Sequence, residues 1–418
     1  MFKALKGNII SSIKYGEIEI TENGYLVYSD NGIIEGVYKE LPDNFKDIQV
    51  EDYKNMLIMQ SFSDMHLHAP QYPMLGMGMD LELIDWLNSY AFPVEARFKD
   101  NDFARCVYKK LAKELIKNGT TRVCMFSSLH KEATLILMEE LEKAGVCGYV
   151  GKVNMDRNSY KDLKETTLES INETIDLIKK SNFEHIKPII TPRFTPSCTD
   201  ELMNALGDIV KEYNLPVQSH LSENLKEIEW VKELCPDSNE YYETYKKYGL
   251  WNNKTLMAHC VHSSIEEIEA IKNDGVYVVH CPSSNENVMS GYAHIKKMIK
   301  MGVNVVLGSD IAGGDHLSMF ENTSAAIRAS KARNTLDSGK TGFLTVKEAF
   351  YLATSAANKF FNELPGFSKG NKLHALVLDD SNLVSAKELT VEERFDRCIY
   401  LREDDAIKAV YSDGKKVL

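Results

Sequence analysis

The sequence predicts an α/β protein: a (β/α)8 barrel of the TIM type, joined to a small β-sandwich domain that is built from both chain ends. Three observations lead to this prediction. Short apolar runs alternate with longer amphipathic stretches through the middle of the 418 residues, there are eight such runs, and both ends carry strand-like segments broken by turn residues. Alternating strands and helices indicate a parallel sheet, and eight units favour a closed barrel. We expect residues 1–57 and 372–418 to form the β domain and residues 58–371 the barrel.

The chain ends show the pattern of short strands separated by turns. Near the N-terminus the strand-like runs are 17–20, 25–28 and 33–38, and near the C-terminus they are 375–378, 396–401 and 407–411. Asn-Gly pairs at 23–24 and 31–32 interrupt the first set, and an Asn-Gly pair between such runs is a hairpin signal. The similar texture of the two ends predicts that they join into one domain.

The middle of the chain contains the strand candidates of the barrel. The eight apolar runs are 56–65, 120–126, 146–153, 186–194, 216–220, 255–259, 276–281 and 303–308. Amphipathic stretches such as 133–144, 224–234 and 265–272 lie between them. A doubly wound open sheet is the alternative arrangement. No glycine-rich phosphate fingerprint follows any of the strands, which argues against a nucleotide-binding sheet.

Composition excludes several classes of protein. The chain has 49 basic and 61 acidic residues, hence a net charge of −12, and 44% of its residues are hydrophobic. It is too apolar to be disordered, lacks the basic character of a nucleic-acid binder, and contains no apolar run long enough for a membrane span. No secretory signal is recognisable, and the eight cysteines are scattered without a CxxC pair. We therefore expect a cytoplasmic protein with free thiols and without nucleic-acid or membrane partners.

Histidine and aspartate residues end several of the predicted strands, where the active site of such a barrel lies. The first run ends at His66 and His68, the fifth at His220, the sixth at His259, and Asp310 follows the eighth. Residues two apart on a strand share a face, so His66 and His68 can bind the same metal ion. A buried carboxylate such as Asp310 is costly unless it is paired or bound to a metal. Nitrogen and oxygen donors without thiolates suit zinc, or alternatively iron.

Two further residues have competing interpretations. Glu223, three residues after His220, either transfers protons or is a first-turn helix glutamate that favours the helix dipole. The fourth strand ends at Arg193. A site with two metals would need a carboxylated lysine at this position as the bridging ligand, and an arginine cannot supply one. Arg193 therefore indicates a single metal. The planar fork of Arg193 matches paired acceptors such as O6 and N7 of guanine, and a structural salt bridge is the alternative. For His280 we favour a structural role, and His130 is assigned no role.

The assembled motifs resemble the amidohydrolase superfamily over nearly the whole chain. They are His66-Leu67-His68, His220 with Glu223, Ala258-His259-Cys260, His280-Cys281-Pro282-Ser283-Ser284-Asn285 and Gly308-Ser309-Asp310. Within that superfamily, residues 66–72, 79–87, 92–98, 191–194 and 218–224 resemble the guanine deaminases. One departure is the segment 60–64, which begins Gln-Ser where the family usually has Pro-Gly. We expect this difference to affect turn geometry only.

The resemblance implies a role for each candidate residue. It makes His66, His68, His220 and Asp310 the ligands of one zinc ion per chain, with iron possible as the alternative metal. It makes Glu223 the proton shuttle, and His259 and Asp310 its catalytic partners. Gln71, Arg193 and Phe194 would hold the purine, together with His220, Glu223 and Asp310.

The implied activity is hydrolytic deamination of guanine to xanthine and ammonia, as part of purine catabolism, by a homodimer. One alternative is a superfamily deaminase that acts on another aminated heterocycle, such as a pterin or a different purine. A non-catalytic scaffold on this fold is the other, and the presence of every expected ligand argues against it.

Overall fold

The computed structural model describes all 418 residues, which form seventeen strands and fifteen α-helices. The strands are β1 (Phe2–Lys14), β2 (Glu17–Ser29), β3 (Ile34–Tyr38), β4 (Gln49–Gln60), β5 (Phe62–His68), β6 (Thr120–Phe126), β7 (Cys147–Gly151), β8 (Val153–Asn154), β9 (Ile186–Pro188), β10 (Thr191–Pro192), β11 (Val217–Leu221), β12 (Thr255–His259), β13 (Tyr277–His280), β14 (Asn304–Leu307), β15 (Ala375–Leu378), β16 (Ile407–Ser412) and β17 (Lys415–Lys416).

Most of the helices lie between the strands of the barrel. They are α1 (Leu83–Trp86), α2 (Phe92–Ala96), α3 (Asn101–Lys117), α4 (Lys131–Ala144), α5 (Thr167–Lys180), α6 (Asp200–Tyr213), α7 (Leu225–Leu234), α8 (Glu243–Lys246), α9 (Ile265–Asp274), α10 (Pro282–Asn287), α11 (Ile295–Met301), α12 (Met319–Leu336), α13 (Val346–Ala353), α14 (Ser355–Asn358) and α15 (Val391–Tyr400). None of them combines the length and the apolar character that crossing a bilayer requires.

Both chain ends contribute to one seven-stranded sheet, in the order β17-β16-β15-β4-β1-β2-β3. This sheet folds over on itself. The rings of Tyr28 in β2 and Tyr411 in β16 lie 6.4 Å apart, although four strand spacings separate the two strands in the sheet order. Neighbouring strands lie about 4.8 Å apart, so a flat sheet would separate them by roughly 19 Å. The curled sheet thus acts as a sandwich, which encloses a core that includes Leu5, Leu26 and Val377.

The two Asn-Gly pairs have different outcomes. Asn31-Gly32 makes the turn into β3, with Gly32 at φ 74° and its N–H donating to the carbonyl of Ser29 over 2.8 Å. The hairpin predicted at Asn23-Gly24 is wrong, because both residues lie inside β2 at a register shift against β1. Asn23 has φ 48° there. This bulge uses the left-handed backbone that a tight turn also uses, so an Asn-Gly pair does not distinguish the two.

The strand expected at 396–401 is also wrong, because most of it belongs to α15. Thr390 caps this helix in a capping box with Glu393, which satisfies backbone donors at the helix start. The buried residues Val391, Phe395, Cys398 and Ile399 follow the i, i+4, i+7, i+8 spacing of one helical face. The apolar residues near the end of that face look like a short strand when they are considered alone.

The middle of the chain closes into a parallel barrel. Two four-stranded sheets, β5-β6-β7-β9 and β11-β12-β13-β14, provide most of its wall. A bridge between Ile190 and Val217 joins them on one side. On the other side His68 N donates to Ile311 O over 3.1 Å, and Asp310 N donates to His66 O over 2.8 Å. The carboxyl ends of β5, β11, β12 and β14 therefore surround one opening.

The first strand expected for the barrel, 56–65, is in fact divided between the two parts of the molecule. β4 stays in the end sheet up to Gln60, and β5 enters the barrel from Phe62. Residues 57–65 are buried on both sides of this change, and the polar residues Gln60 and Ser61 at the change are buried as well, so no exposed turn marks it. The expected strands 146–153 and 186–194 are likewise each split in two, as β7 with β8 and β9 with β10.

Candidate active site

The four expected metal ligands meet at the opening of the barrel. Asp310 Oδ1 lies 3.1 Å from His66 Nε2 and 3.5 Å from His68 Nε2, and His68 Nε2 lies 3.1 Å from His220 Nε2. The nitrogen atoms of His66, His220 and His259 also lie within 4.8 Å of one another. All five side chains are buried, so the structure brings His259 to the same point as the expected ligands.

Local structure explains why these imidazoles face one another. His66 and His68 alternate with Leu67 along β5, so both point to the inner side of the strand, while Leu67 packs in the apolar core. His220 Nδ1 donates to the carbonyl of Arg193 over 2.6 Å. Because Nδ1 carries the proton, Nε2 is the nitrogen that is free to bind a metal, and the hydrogen bond directs it at the cluster. The outer hydrogen bonds of metal-binding histidines generally have this effect.

The donor set fits a metal ion. His66 Nε2 is buried and has no hydrogen-bond partner. Burial lowers the pKa of His68 and of His220, which keeps both imidazoles neutral. Burial opposes ionisation of Asp310 as well, but its neighbours, His66 above all, hold the pKa of that carboxyl below its ordinary range. Neutral imidazoles and an ionised carboxylate are the forms that bind metal.

Glu223 lies beside this cluster and not on the helix that follows it. Its Oε2 is 3.5 Å from His259 Nε2, and its Oε1 accepts a hydrogen bond from Ser290 Oγ over 3.2 Å. Burial raises the pKa of Glu223 to about 7. The acidic residue in the first turn of α7 is Glu227, which forms a capping box with Asn224. The interpretation of Glu223 as a first-turn residue is therefore wrong.

His259 is held with one nitrogen toward the cavity. Its Nδ1 donates to Asn285 Oδ1 over 2.8 Å, so Nε2 faces Glu223 and Asp310, and the distance to Asp310 Oδ2 is 3.8 Å. Burial acts to lower the pKa of His259, but the two carboxylates raise it above its ordinary value. Its φ of 74° is unusual for a residue with a side chain, and such strain is common at functional sites.

The cluster forms one end of a cavity whose volume, with the adjoining space open to solvent, is about 480 Å³. Its lining residues are His68, Gln71, Leu83, Trp86, Leu87, Arg193, Phe194, His220, Glu223, Glu227, His259, Ser284, Val288 and Asp310. The apolar side chains are concentrated in and beside α1. A cavity with apolar walls and a few converging polar groups suits a small planar ring with polar edges.

Arg193 takes part in the cavity wall and in a salt bridge at the same time. Its Nη1 and Nη2 donate to the two carboxylate oxygens of Glu95 over 2.6 and 3.0 Å, and its guanidinium lies 4.9 Å from the ring centre of Phe92. Gln71 Nε2 donates to the same Glu95 over 2.8 Å. Phe194 lines the cavity beyond them, with its ring packed edge-on against Trp230. The two interpretations of Arg193 from the sequence are thus compatible.

Several residues with supporting contacts were missed by the sequence analysis. Glu95, Asn285 and Ser290 have no spacing that sets them apart from ordinary polar residues. Asp64 does, because it precedes His66 and His68 in the sequence at intervals of two, although a register shift between Asp64 and Leu67 interrupts the regular alternation of β5. It accepts from the N–H and the hydroxyl of Ser309, which fixes the residue before Asp310. Burial raises the pKa of Asp64 to about 7.

His280 and His130 lie outside the lining of the cavity. His280 ends β13 and is buried, and burial together with the neighbouring His259 lowers its pKa to about 3. His130 is the N-cap residue of α4, and burial lowers its pKa to about 4. Both side chains are therefore neutral near pH 7, and the structural role of His280 stays a prediction.

The family model, the related sequences and a solved structure all indicate the same family for this chain. A model of the amidohydrolase family matches residues 57–417. The chain is 38% identical to guanine deaminase of Dictyostelium discoideum, over 100% of this chain and 98% of that protein, and 37% identical to guanine deaminase of Mus musculus, over 99% and 96%. A crystal structure of guanine deaminase from C. acetobutylicum, with guanine bound in the active site, superposes with a TM-score of 0.97 at 46% identity over the full length of both chains. The chain therefore belongs to the amidohydrolase family and, within it, to the group of the guanine deaminases.

Proposed function

We propose that this protein hydrolyses guanine to xanthine and ammonia. The observation that carries the proposal is the single cavity in which His68, His220 and Asp310 lie beside Glu223 and a wall that contains Arg193. This cavity combines a candidate metal site, a carboxyl group with a pKa near 7 and directed hydrogen-bond donors. The crystallised relative from C. acetobutylicum holds guanine in its active site, which supports the same substrate here.

We further propose one zinc ion per chain, bound by His66, His68, His220 and Asp310, with iron as the alternative metal. Three nitrogen donors and one carboxylate are a ligand set that zinc accepts at a catalytic site. The bound ion would supply one function, which is to lower the pKa of a water molecule so that it acts as a nucleophile at neutral pH.

The chain's own residues then handle the protons. Asp310, whose carboxyl is ionised, accepts one proton from the attacking water as its oxygen bonds to C2 of guanine. Glu223 donates a proton to the adjacent ring nitrogen, and this neutralises the negative charge that addition places on the ring. The exocyclic amine then takes up the proton held by Asp310 and leaves as ammonia when the C2–N bond breaks, while the second proton of the water passes from the new hydroxyl group to Glu223 and restores its acid form. C2 retains the oxygen, and the product is xanthine. His259 donates toward the oxygen that adds to C2.

Recognition of the purine is assigned to Gln71, Arg193 and Phe194. Arg193 carries only donors, so it complements the acceptors O6 and N7 on one edge of guanine. Phe194 contributes an aromatic surface at the cavity wall. A pterin, or a purine aminated elsewhere, would place its acceptors differently against this wall. Deamination of such a compound is the alternative function.

A substrate panel tests the proposal. Zinc-loaded protein is incubated separately with guanine, adenine, cytosine and a 2-aminopterin, and ammonia release is measured for each. We expect release from guanine and little or none from adenine and cytosine. Preferred release from the pterin would support the alternative deaminase, and no release from any compound by zinc-loaded protein would support the non-catalytic scaffold.

We also propose that the protein acts in purine catabolism as a cytoplasmic homodimer. The family resemblance supports the dimer and the pathway, and the composition, with scattered cysteines and no candidate membrane span, supports the compartment. Sedimentation of the purified protein would test the dimer.

A further inference from the structure

We propose that Glu95 is a positioning residue, which determines the specificity of the cavity by holding Arg193 and Gln71 as one rigid unit. The proposal rests on the function proposed above. Glu95 lies in α2 and its side chain does not line the cavity, so it would act through the two residues that do.

The contacts of Glu95 connect both recognition residues. Its carboxylate is fully buried and accepts three hydrogen bonds, two from Arg193 and one from Gln71. The bidentate arrangement fixes the plane of the guanidinium, because both oxygens must face both Nη atoms. One carboxylate thereby sets the orientation of two side chains that come from different elements of the barrel.

Gln71 is fixed by a second contact as well. Its Oε1 accepts from Ala312 N over 3.0 Å, while its Nε2 donates to Glu95 over 2.8 Å. If the amide were flipped, its NH2 group would face the N–H of Ala312, and its oxygen would face the carboxylate of Glu95. Neither pair could form a hydrogen bond. Glu95 and the N–H of Ala312 together therefore fix the orientation of the amide, which directs the remaining Nε2–H of Gln71.

The remaining hydrogen-bonding capacity can be counted. A guanidinium has five N–H donors and no acceptor, and Arg193 uses two of them on Glu95. Three N–H groups remain, and Gln71 keeps one Nε2–H. This part of the wall is thus rich in donors, which matches a ligand edge that carries acceptors.

The charge of the pair is consistent with a neutral ligand. Arg193 and Glu95 are both buried and their formal charges cancel, so the wall offers directed donors without net positive charge. Loss of Glu95 would leave a buried cation without its partner and free to reorient, a situation that is strongly destabilising in general. Any test must therefore separate a change in recognition from a loss of stability.

A double-mutant cycle makes this separation. Glu95→Gln, Arg193→Met and the double variant are compared for kcat and KM with guanine and with 7-deazaguanine, which differs only by the missing N7 acceptor. Each single variant leaves one buried charge without its partner and so could fold poorly. The double variant removes both charges and leaves neither unpaired. Glu363→Gln is the matched control, because Glu363 pairs with the buried Arg122 over 2.8 Å away from the cavity.

We expect Glu95→Gln to raise KM for guanine by about tenfold or more, to change kcat much less, and to reduce the preference for guanine over 7-deazaguanine, with metal content unchanged. In the Arg193→Met background the same substitution should have a much smaller effect, because interacting residues are not additive. Glu363→Gln should lower stability and leave KM unchanged.

Two results would overturn the inference while the proposed function stands: an active Glu95→Gln variant with wild-type KM and wild-type preference, or full additivity of the two substitutions. A wild-type protein that releases no ammonia from guanine would instead overturn the proposed function, and this inference with it.

Discussion

Glu223 and His259 face each other at the edge of the candidate metal site, with Glu223 Oε2 3.5 Å from His259 Nε2. Burial raises the pKa of the Glu223 carboxyl to about 7, and the nearby carboxylates raise that of His259. Glu223 therefore exchanges a proton close to neutral pH, and His259 keeps its proton more readily than an ordinary imidazole does. This pairing places a proton donor next to the point where the metal ligands meet, as hydrolytic deamination requires.

Replacement of Glu223 by glutamine should stop most of the turnover. The amide keeps the shape of the side chain but cannot donate a proton as an acid, so kcat should fall by about 100-fold or more. Metal content, measured by elemental analysis, should not change. Glu267→Gln is the matched control, since Glu267 is equally buried and its pKa is also raised to about 7, yet it lies outside the cavity lining. Near-normal turnover of Glu223→Gln would exclude Glu223 as the proton donor.

The pH profile should reflect the same group. Because Glu223 must carry its proton to act as an acid, kcat/KM should decrease as the pH rises through about 7. The measurement is kcat/KM for guanine across this range in saturating zinc. Glu267→Gln should retain the decrease, and the residual activity of Glu223→Gln should lack it. A decrease that persists in Glu223→Gln would assign the titration to another group.

Stability should also decrease as pH rises, because the pKa of Glu223 is higher in the folded protein than in the unfolded chain. Its pKa in the fold, about 7, exceeds the ordinary value of 4.5, so the folded state binds more protons between these two values. The free energy of unfolding should therefore decrease as pH rises through this window, by up to about 3 kcal/mol from this one carboxyl. Denaturant unfolding at several pH values should show Glu223→Gln gaining stability over the wild type as pH rises. A constant difference across the window would contradict the raised pKa.

The metal site should hold one ion. Elemental analysis of protein purified without added metal should give one equivalent per chain, with zinc favoured, and chelation should abolish activity that zinc then restores. His66→Ala should reduce the bound metal, because it removes one of four donors. Two equivalents per chain, or full activity after complete chelation, would contradict the single-metal site.

Arg193 should determine affinity for the purine. Arg193→Met removes the donors that face the acceptors of guanine, so KM should rise and kcat/KM should fall, with the metal retained. In the wild type, guanine should be preferred over adenine by roughly 10⁴-fold or more, since a site built to hydrogen-bond one group rejects an analogue that lacks it. Comparable kcat/KM for the two bases would contradict the assignment of guanine.

The sequence predicted the residues of the candidate site that lie at strand ends. His66, His68, His220 and His259 each close an apolar run, and parallel strands in a barrel bring such positions to one opening. This reasoning needs only the residue that follows each apolar run, so it did not depend on where each strand begins. It held although the run 56–65 turned out to cross from the end sheet into the barrel.

Residues that act through tertiary contacts could not be predicted in this way. Glu95 pairs with Arg193 from 98 positions away in the sequence, and Asn285 orients His259 from 26 positions away. Neither stands at the end of a strand or at a ligand spacing. The two local errors, at Asn23-Gly24 and at 396–401, have a related origin: a bulge resembles a turn, and part of an amphipathic helix resembles a strand, until the neighbouring elements are known.

The stoichiometry of guanine turnover tests hydrolytic deamination by this protein most directly. Zinc-loaded protein is mixed with a known amount of guanine, and xanthine and ammonia are quantified over time, with Glu223→Gln as the control. We expect one xanthine and one ammonia for each guanine consumed, and very slow turnover by the variant. Unchanged guanine after prolonged incubation with folded, zinc-loaded wild-type protein would contradict it.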